Sequence, residues 1–367
     1  MLAIAAPLRA WLRDGRGFAV ATVAATRGSA PRGPGAALAV DGAGTVLGSV
    51  SGGCVEAEVY ERCRQALADG VPRTARFGPE AADPFGAALT CGGGIEVLIT
   101  PAPPGGAARL ALGAAAQRAA AGRPGVLVRV LRAPGTPVAG ALAVGSGGDR
   151  TGTLGRGPAF DEAAARAAAA AAAARVPATT VRAGDATLLV ETSVPPPRLL
   201  VFGSTDVAAA LAEAGRFLGY RVTVCDARPV FTTPERFPAA HETVVAWPHR
   251  YLAAERDAGR LDDRTAVCAL THDPRTETPL LALALRLPLG YVGALGSRRT
   301  HAARLRRLRA EGIGSGQLAR LRAPVGLDLG GHTPRETALA VVAELTALRH
   351  GGSGVPLTRT TRPLHRR

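Results

Sequence analysis

Pro195-Pro-Pro-Arg-Leu-Leu-Val-Phe-Gly-Ser-Thr-Asp206 decides how the chain is read. Three consecutive prolines favour extended polyproline geometry and make a stiff spacer. The apolar run behind them, Leu199 to Phe202, ends at Gly203, as a buried strand meeting a tight turn does. From there strands and helices alternate. Strands are predicted at 199–202, 221–225, 243–246, 265–270, 290–294 and 325–328. Helices are predicted at 206–218, 252–258, 276–286, 298–311 and 334–349. Thr333-Pro-Arg-Glu336 opens the last of these as a capping box with proline at the first helical position. Alternation with apolar strands implies a parallel, doubly wound sheet.

Upstream of the spacer the pattern is different. Strand candidates lie at 18–23, 36–40, 45–50, 95–99, 125–131, 140–144 and 187–191. Helices are predicted from Ser51-Gly-Gly-Cys-Val-Glu56 to about Leu67, over 104–122, and over the alanine-rich 161–175. That last run offers no large side chain to a core and reads as a surface helix. The fold class is therefore α/β: an N-terminal α+β domain (1–194), a Pro-rich linker (195–198), a Rossmann-like doubly wound parallel-sheet domain (199–350) and a basic flexible tail (351–367).

The chain has 367 residues, 44 basic side chains against 29 acidic ones, and a net charge of +15. It contains no lysine, so every basic residue is arginine, which points to compositional bias more than to nucleic acid. The arginine clusters at 304–309 and in the tail lack the interleaved aromatics that stack on bases, and they are expected to be scattered and solvated. At 47% the apolar content is too high for a disordered chain. The longest apolar run, Leu280 to Leu295, is broken by Arg286 and Pro288, so no membrane span is expected. The N-terminus lacks the basic region that opens a secretory leader. Five cysteines without a C-x-x-C fit free thiols in a reducing cytoplasm.

In a doubly wound sheet, ligands bind beyond the carboxyl ends of the strands. Gly203, Asp226 and Arg228, His272 and Asp273, and Gly296, Ser297 and Arg298 all fall there. Two readings of the first turn stand. Gly203-Ser-Thr-Asp206 is a dinucleotide fingerprint with Thr205 where the second glycine belongs, and Asp226 is placed for a ribose hydroxyl. Alternatively, Asp206 simply caps the first helix. His272 and Asp273 also suit a base with an orienting carboxylate.

The N-terminal half holds a denser cluster. Ser51, Gly52, Gly53 and Cys54 at a helix start present backbone N–H groups to an anion and lower a cysteine pKa, with Glu56 close behind. Cys91, Gly92 and Gly93 form a second glycine run. Arg27, Ser29 and Arg32 sit in a third. Of the arginines, Arg27, Arg32, Arg228 and Arg298 are expected to line one cleft.

Gly28-Ser-Ala-Pro-Arg32, Gly48-Ser-Val-Ser-Gly-Gly-Cys-Val-Glu56 and Cys91-Gly-Gly-Gly-Ile-Glu96 resemble the N-terminal domain of the XdhC/CoxI family of molybdoenzyme maturation factors. Val224-Cys-Asp-Ala-Arg-Pro229, Thr271-His-Asp273, Tyr291 to Arg299 and Gly326 to Gly330 are similar to its Rossmann-like domain. The resemblance implies binding of the molybdenum cofactor, as molybdopterin or its dinucleotide form. It also implies help with sulfuration by a cysteine desulfurase, and insertion into xanthine dehydrogenase- or CO dehydrogenase-type hydroxylases. On that reading the chain is a homodimeric cytoplasmic chaperone more than a turnover enzyme, with Cys54 and Cys91 near the metal or its sulfur. The family's Gly-x-Gly-His at the first Rossmann turn is absent here. Competing readings are an NAD(P)-dependent oxidoreductase and a ligand-free assembly scaffold.

Overall fold

A computed structural model describes residues 1–78, 92–135 and 140–361. The chain divides into two compact units between Pro195 and Pro196. The first contains α1 (Ala5–Arg13), β1 (Phe18–Arg27), β2 (Ala37–Asp41), β3 (Val46–Gly48), α2 (Glu56–Asp69), β4 (Arg73–Phe77) and β5 (Gly94–Ala102). It continues with α3 (Arg109–Ala120), β6 (Gly125–Arg132), β7 (Ala141–Gly145), β8 (Arg150–Thr153), α4 (Pro158–Ala172), β9 (Ala178–Ala183) and β10 (Ala186–Ser193).

These fourteen elements are one motif used twice. The order α-β-β-β-α-β-β builds an antiparallel sheet β3-β2-β1-β5-β4 and then a second, β8-β7-β6-β10-β9, of the same topology. The registers coincide. Thr22 pairs with Ala37 in the first sheet and Arg129 with Ala141 in the second. The paired strands even share sequence, Ala37-Leu-Ala-Val40 against Ala141-Leu-Ala-Val144. Opposite the two leucines stand Gly48 and Gly152, at φ 76° and 87°. A Cβ at either would lie 2.2 Å from the Ala37 carbonyl oxygen or 2.4 Å from that of Ala141, so both hairpins need glycine there.

The copies meet through a buried polar knot. Arg129 and Glu191 form an ion pair with each side chain 1% exposed. The Arg129 guanidinium also donates to Thr22 Oγ1 at 2.7 Å and Thr100 Oγ1 at 3.1 Å, both in the first sheet. Equivalent positions have thus diverged, with Thr22 matching Arg129 and Thr100 matching Glu191.

The second unit contains β11 (Arg198–Phe202), α5 (Asp206–Phe217), β12 (Arg221–Asp226), β13 (Glu242–Val245), α6 (Pro248–Asp257) and β14 (Ala266–Ala269). Then follow α7 (Pro274–Arg286), β15 (Tyr291–Ala294), α8 (Arg298–Ala310), α9 (Ser315–Leu318), β16 (Leu321–Arg322) and α10 (Pro334–His350). Its sheet is wholly parallel in the order β13-β12-β11-β14-β15-β16. One apolar cluster joins α5 and α10 to one face, and another joins α6, α7 and α8 to the other. No described helix is long and apolar enough to cross a membrane.

Three expectations need correction. Residues 325–328 are not a strand. Pro324 has no N–H for the ladder, and the sixth strand is the short β16 before it. The alanine-rich α4 is not a bare surface helix, because Ala164 and Ala168 are fully buried against Leu188 and Val190. Arg304 is not solvated. It is 1% exposed and paired in bidentate fashion with Glu277, at 2.7 and 2.8 Å. Of the expected tail, residues 351–361 are described and carry one turn, Leu357–Arg359. Residues 362–367 lie outside the described residues.

Removing one member of a buried ion pair leaves an uncompensated charge, at about 3–5 kcal/mol. Because Glu191 also pairs with the Met1 ammonium, Arg129→Met should lower the stability of the first unit by an amount toward the lower end of that range. Arg9→Met, on the exposed side of α1, should change it by less than about 0.5 kcal/mol. Urea unfolding followed by Trp11 fluorescence in a Trp247→Phe background measures both.

Candidate functional site

The β2–β3 hairpin delivers Ser49 to the start of α2, and the intervening turn is organised by one carboxylate. Glu56 is the first residue of the helix, and its side chain folds back over the loop. Oε1 accepts from Ser49 Oγ at 2.6 Å and from the N–H groups of Val50, Ser51 and Gly52 at 3.2, 2.8 and 2.9 Å. Oε2 accepts from the Ser51 hydroxyl, Gly53 N–H at 2.8 Å and Val55 N–H at 3.3 Å. Burial alone would raise the Glu56 carboxyl. Bonds from Ser49, Ser51 and Gly53 outweigh it and hold the group at about 2. The expectation that Ser51 to Gly53 offer open donors to an external anion is therefore corrected, because an internal anion takes them.

Gly52 and Gly53 sit at φ 83° and 129°, and both are exposed. No side-chain-bearing residue adopts the second of these at low cost. The turn lifts Cys54 to a half-buried position against the apolar cluster beneath α2. Burial pushes the thiols of Cys63 and Cys225 up to about 12 and raises that of Cys268. These three are core residues, whereas Cys54 reaches the surface.

The second copy of the motif acts as an internal control. There Asp161 does the work of Glu56, accepting from Thr153 Oγ1 at 2.6 Å and Leu154 N–H at 2.9 Å. Gly155 N–H donates to Thr153 Oγ1, as Gly52 N–H donates to Ser49 Oγ. The carboxylate joint is thus part of the fold. Gly52-Gly53-Cys54 is peculiar to the first copy, since the second runs Gly155-Arg-Gly-Pro158.

The three glycine-rich runs come together. Arg32 donates to the Ser49 carbonyl at 3.2 Å. A Cβ on Gly93 would lie 2.3 Å from the Ser29 carbonyl oxygen, so those loops are in contact. Cys91 lies outside the described residues. Among the described residues no three His, Cys, Asp or Glu side chains group as a metal site.

Beside this junction opens a cavity of about 390 Å³. It is lined by Arg27, Gly28 and Gly92 to Gly94, and also by Arg76, Glu96 and Arg132. Glu96 falls in the Cys91–Glu96 motif, but Arg76 and Arg132 are not among the residues the sequence singles out, since β4 is not among its predicted strands. Strand pairing is the signal that could have found them: Arg76 lies opposite Glu96 on adjacent strands.

The sheet edge of the second unit is occupied by its own side chains. Gly203 serves a close approach, with a Cβ there only 3.0 Å from the backbone at Leu270 and Thr271. Ser204 is buried, its N–H on Asp226 at 2.8 Å and its hydroxyl on Thr232 at 2.8 Å. Thr205, not Asp206, caps α5, accepting from Ala208 N–H at 3.1 Å. The Asp226 carboxylate also takes the Arg228 guanidinium, at 2.7 and 3.0 Å, instead of standing open for a ribose. Burial alone would raise it, but Arg228 and Ser204 hold it below the usual range. His272 is exposed, and Asp273 caps α7 and pairs with Arg275 at 2.9 Å, so the base–carboxylate dyad is not formed. Ser297 caps α8, accepting from Thr300 N–H at 3.1 Å. Gly296 is at φ 141° before it, and Arg298 is exposed after it. The four arginines expected in one cleft are therefore differently employed. Arg27 lines the cavity, Arg32 ties two loops, Arg228 serves Asp226, and Arg298 begins a helix.

Residues 199–345 match the XdhC Rossmann domain, and residues 11–78 match the XdhC and CoxI family. The chain belongs to the XdhC/CoxI family. It is 28% identical over 339 residues to the molybdenum cofactor insertion chaperone PaoD of Escherichia coli, covering 92% of this chain and 85% of that protein. It is 30% identical to the uncharacterized protein YqeB of the same organism and, likewise, to a probable xanthine dehydrogenase component of Bacillus subtilis. Those two matches span only 30% and 46% of the relatives' own lengths. A crystal structure described as a xanthine dehydrogenase from Bacillus halodurans superposes with a TM-score of 0.71. It covers 97% of this chain and 98% of that one at 23% identity, which shows a shared fold.

For this XdhC/CoxI chain, Glu56 sets an acid dependence. A carboxyl held near 2 adds stability in full above its ordinary value of 4.5 and loses it as pH falls toward 2. Glu56→Gln should lower stability at pH 7 by roughly 2 kcal/mol. It should also flatten the loss between about pH 4.5 and 2. Urea midpoints across that range test both effects.

Proposed function

We propose that the chain is a chaperone that binds the molybdenum cofactor and inserts it into a molybdenum hydroxylase of the xanthine dehydrogenase or CO dehydrogenase type. On this reading a cysteine desulfurase supplies sulfur while the cofactor is held. The chain acts as a homodimer in the cytoplasm. The observation that carries the reading is the Gly52-Gly53-Cys54 turn, present in one copy of the duplicated motif and absent from its twin. The copies share the carboxylate joint, so folding does not require the cysteine-bearing turn sequence. The near full-length similarity to PaoD supports the same role.

The residues suit the cargo. Cys54 is a soft donor for molybdenum or its sulfur ligand, with Cys91 as its proposed companion. Arg27, Ser29, Arg32, Gly92 and Gly93 belong to the loops around it, where guanidinium and backbone N–H groups suit phosphate oxygens. Ser51 and Glu56 position the turn from within. Gly203, Asp226, Arg228, His272, Asp273, Gly296, Ser297 and Arg298 shape the sheet edge of the second unit. The topology there resembles that of NAD(P) enzymes, but Asp226 and Ser204 are already paired with each other.

Purified chain mixed with molybdenum cofactor should carry pterin through gel filtration. Cys54→Ser should hold it about tenfold less tightly. Equal retention by the two proteins would remove Cys54 from the site, and no retention by either would remove the chaperone reading. Calorimetric titration with NAD(H) and NADP(H) should give no heat.

A further inference from the structure

We propose that the cavity at the ends of β1, β4, β5 and β6 receives the phosphoryl group of a phosphorylated ligand, with Arg27, Arg76 and Arg132 supplying the guanidinium groups. Among the described residues, Arg27, Arg76 and Arg132 line it together with one carboxylate, Glu96. Glu96 is only 11% exposed and pairs with both Arg76, at 3.1 Å, and Arg132. The two arginines are 65% and 46% exposed, so their guanidiniums can turn from a shared, fixed carboxylate toward an incoming anion. Paired guanidiniums are the groups that bind phosphate oxygens in bidentate fashion.

The walls are built for close approach. Gly28 and Gly92 to Gly94 bring bare backbone to the cavity. A Cβ on Gly78 would lie 2.7 Å from the Gly93 carbonyl oxygen. The volume of about 390 Å³ is within the range of small-molecule sites. The duplication explains the asymmetry. Glu96 faces Ala25 in the first sheet, and the equivalent pair in the second is Thr187 and Arg132. One copy therefore contributes the carboxylate and the other an arginine, and the two meet at the copies' junction.

This site deepens the chaperone reading, on which it rests for Arg27, Gly92 and Gly93, and its test is separate from cofactor retention: inorganic pyrophosphate is titrated into the full chain. Calorimetry should show saturable binding at one site. Arg132→Ala and Arg76→Ala should each weaken it about tenfold or more. Glu96→Gln, which removes the competing carboxylate, should tighten it. Arg309→Ala, an exposed arginine of α8, should leave it unchanged. Tighter binding of pyrophosphate than of inorganic phosphate would identify a diphosphate ligand, and equal binding a monophosphate ester. The proposal is overturned by no saturable heat, by unchanged affinity in both arginine variants, or by weaker binding in Glu96→Gln.

Discussion

The Glu56 carboxylate gathers five backbone N–H groups and two hydroxyls from residues 49 to 55. Without it the start of α2 would expose a row of unsatisfied donors, the usual problem of a helix N-terminus. With it the turn can take the glycine-only geometry of Gly52 and Gly53 and still present Cys54 at a defined place. The position of Cys54, and through Ser49 and Arg32 the position of the neighbouring loop, follows from that one side chain.

The duplicated motif separates architecture from function. Asp161 makes the same joint in the second copy with a simpler turn and no cysteine. Features shared by the copies belong to folding: the paired glycines opposite Leu38 and Leu142, and the carboxylate at the helix start. Features that differ are the candidates for function, namely the Gly52-Gly53-Cys54 turn and the Glu96 and Arg132 pair. The Arg129 and Glu191 pair also differs, but it welds the copies.

Much of the second unit was legible in the sequence, because its apolar strands alternate with helices and four of those helices, α5, α7, α8 and α10, open with a side-chain cap. Leu199 to Phe202 and Thr333 to Glu336 are read directly. The broken turn at Gly203 was visible too, but its consequence was not, since only coordinates show Asp226 accepting from Ser204. In the first unit the short edge strands β4, β8 and β9 escaped, carrying arginine and threonine where an alternating pattern was sought. The repeated Ala-Leu-Ala-Val at 37–40 and 141–144 was the one trace of duplication. The glycine cluster and Cys54 stood out by composition. The occupancy of its N–H groups by Glu56 did not, because a carboxylate at the first helical position is usually read as a dipole partner and not as the ligand of the turn.

Alkylation footprinting tests the account most directly. Iodoacetamide applied to the native chain should label Cys54 and spare Cys63, Cys225 and Cys268, which are buried. Added molybdenum cofactor should then protect Cys54. Labelling of Cys54 at the same rate with and without cofactor would contradict the claim that this turn is where the cargo is held.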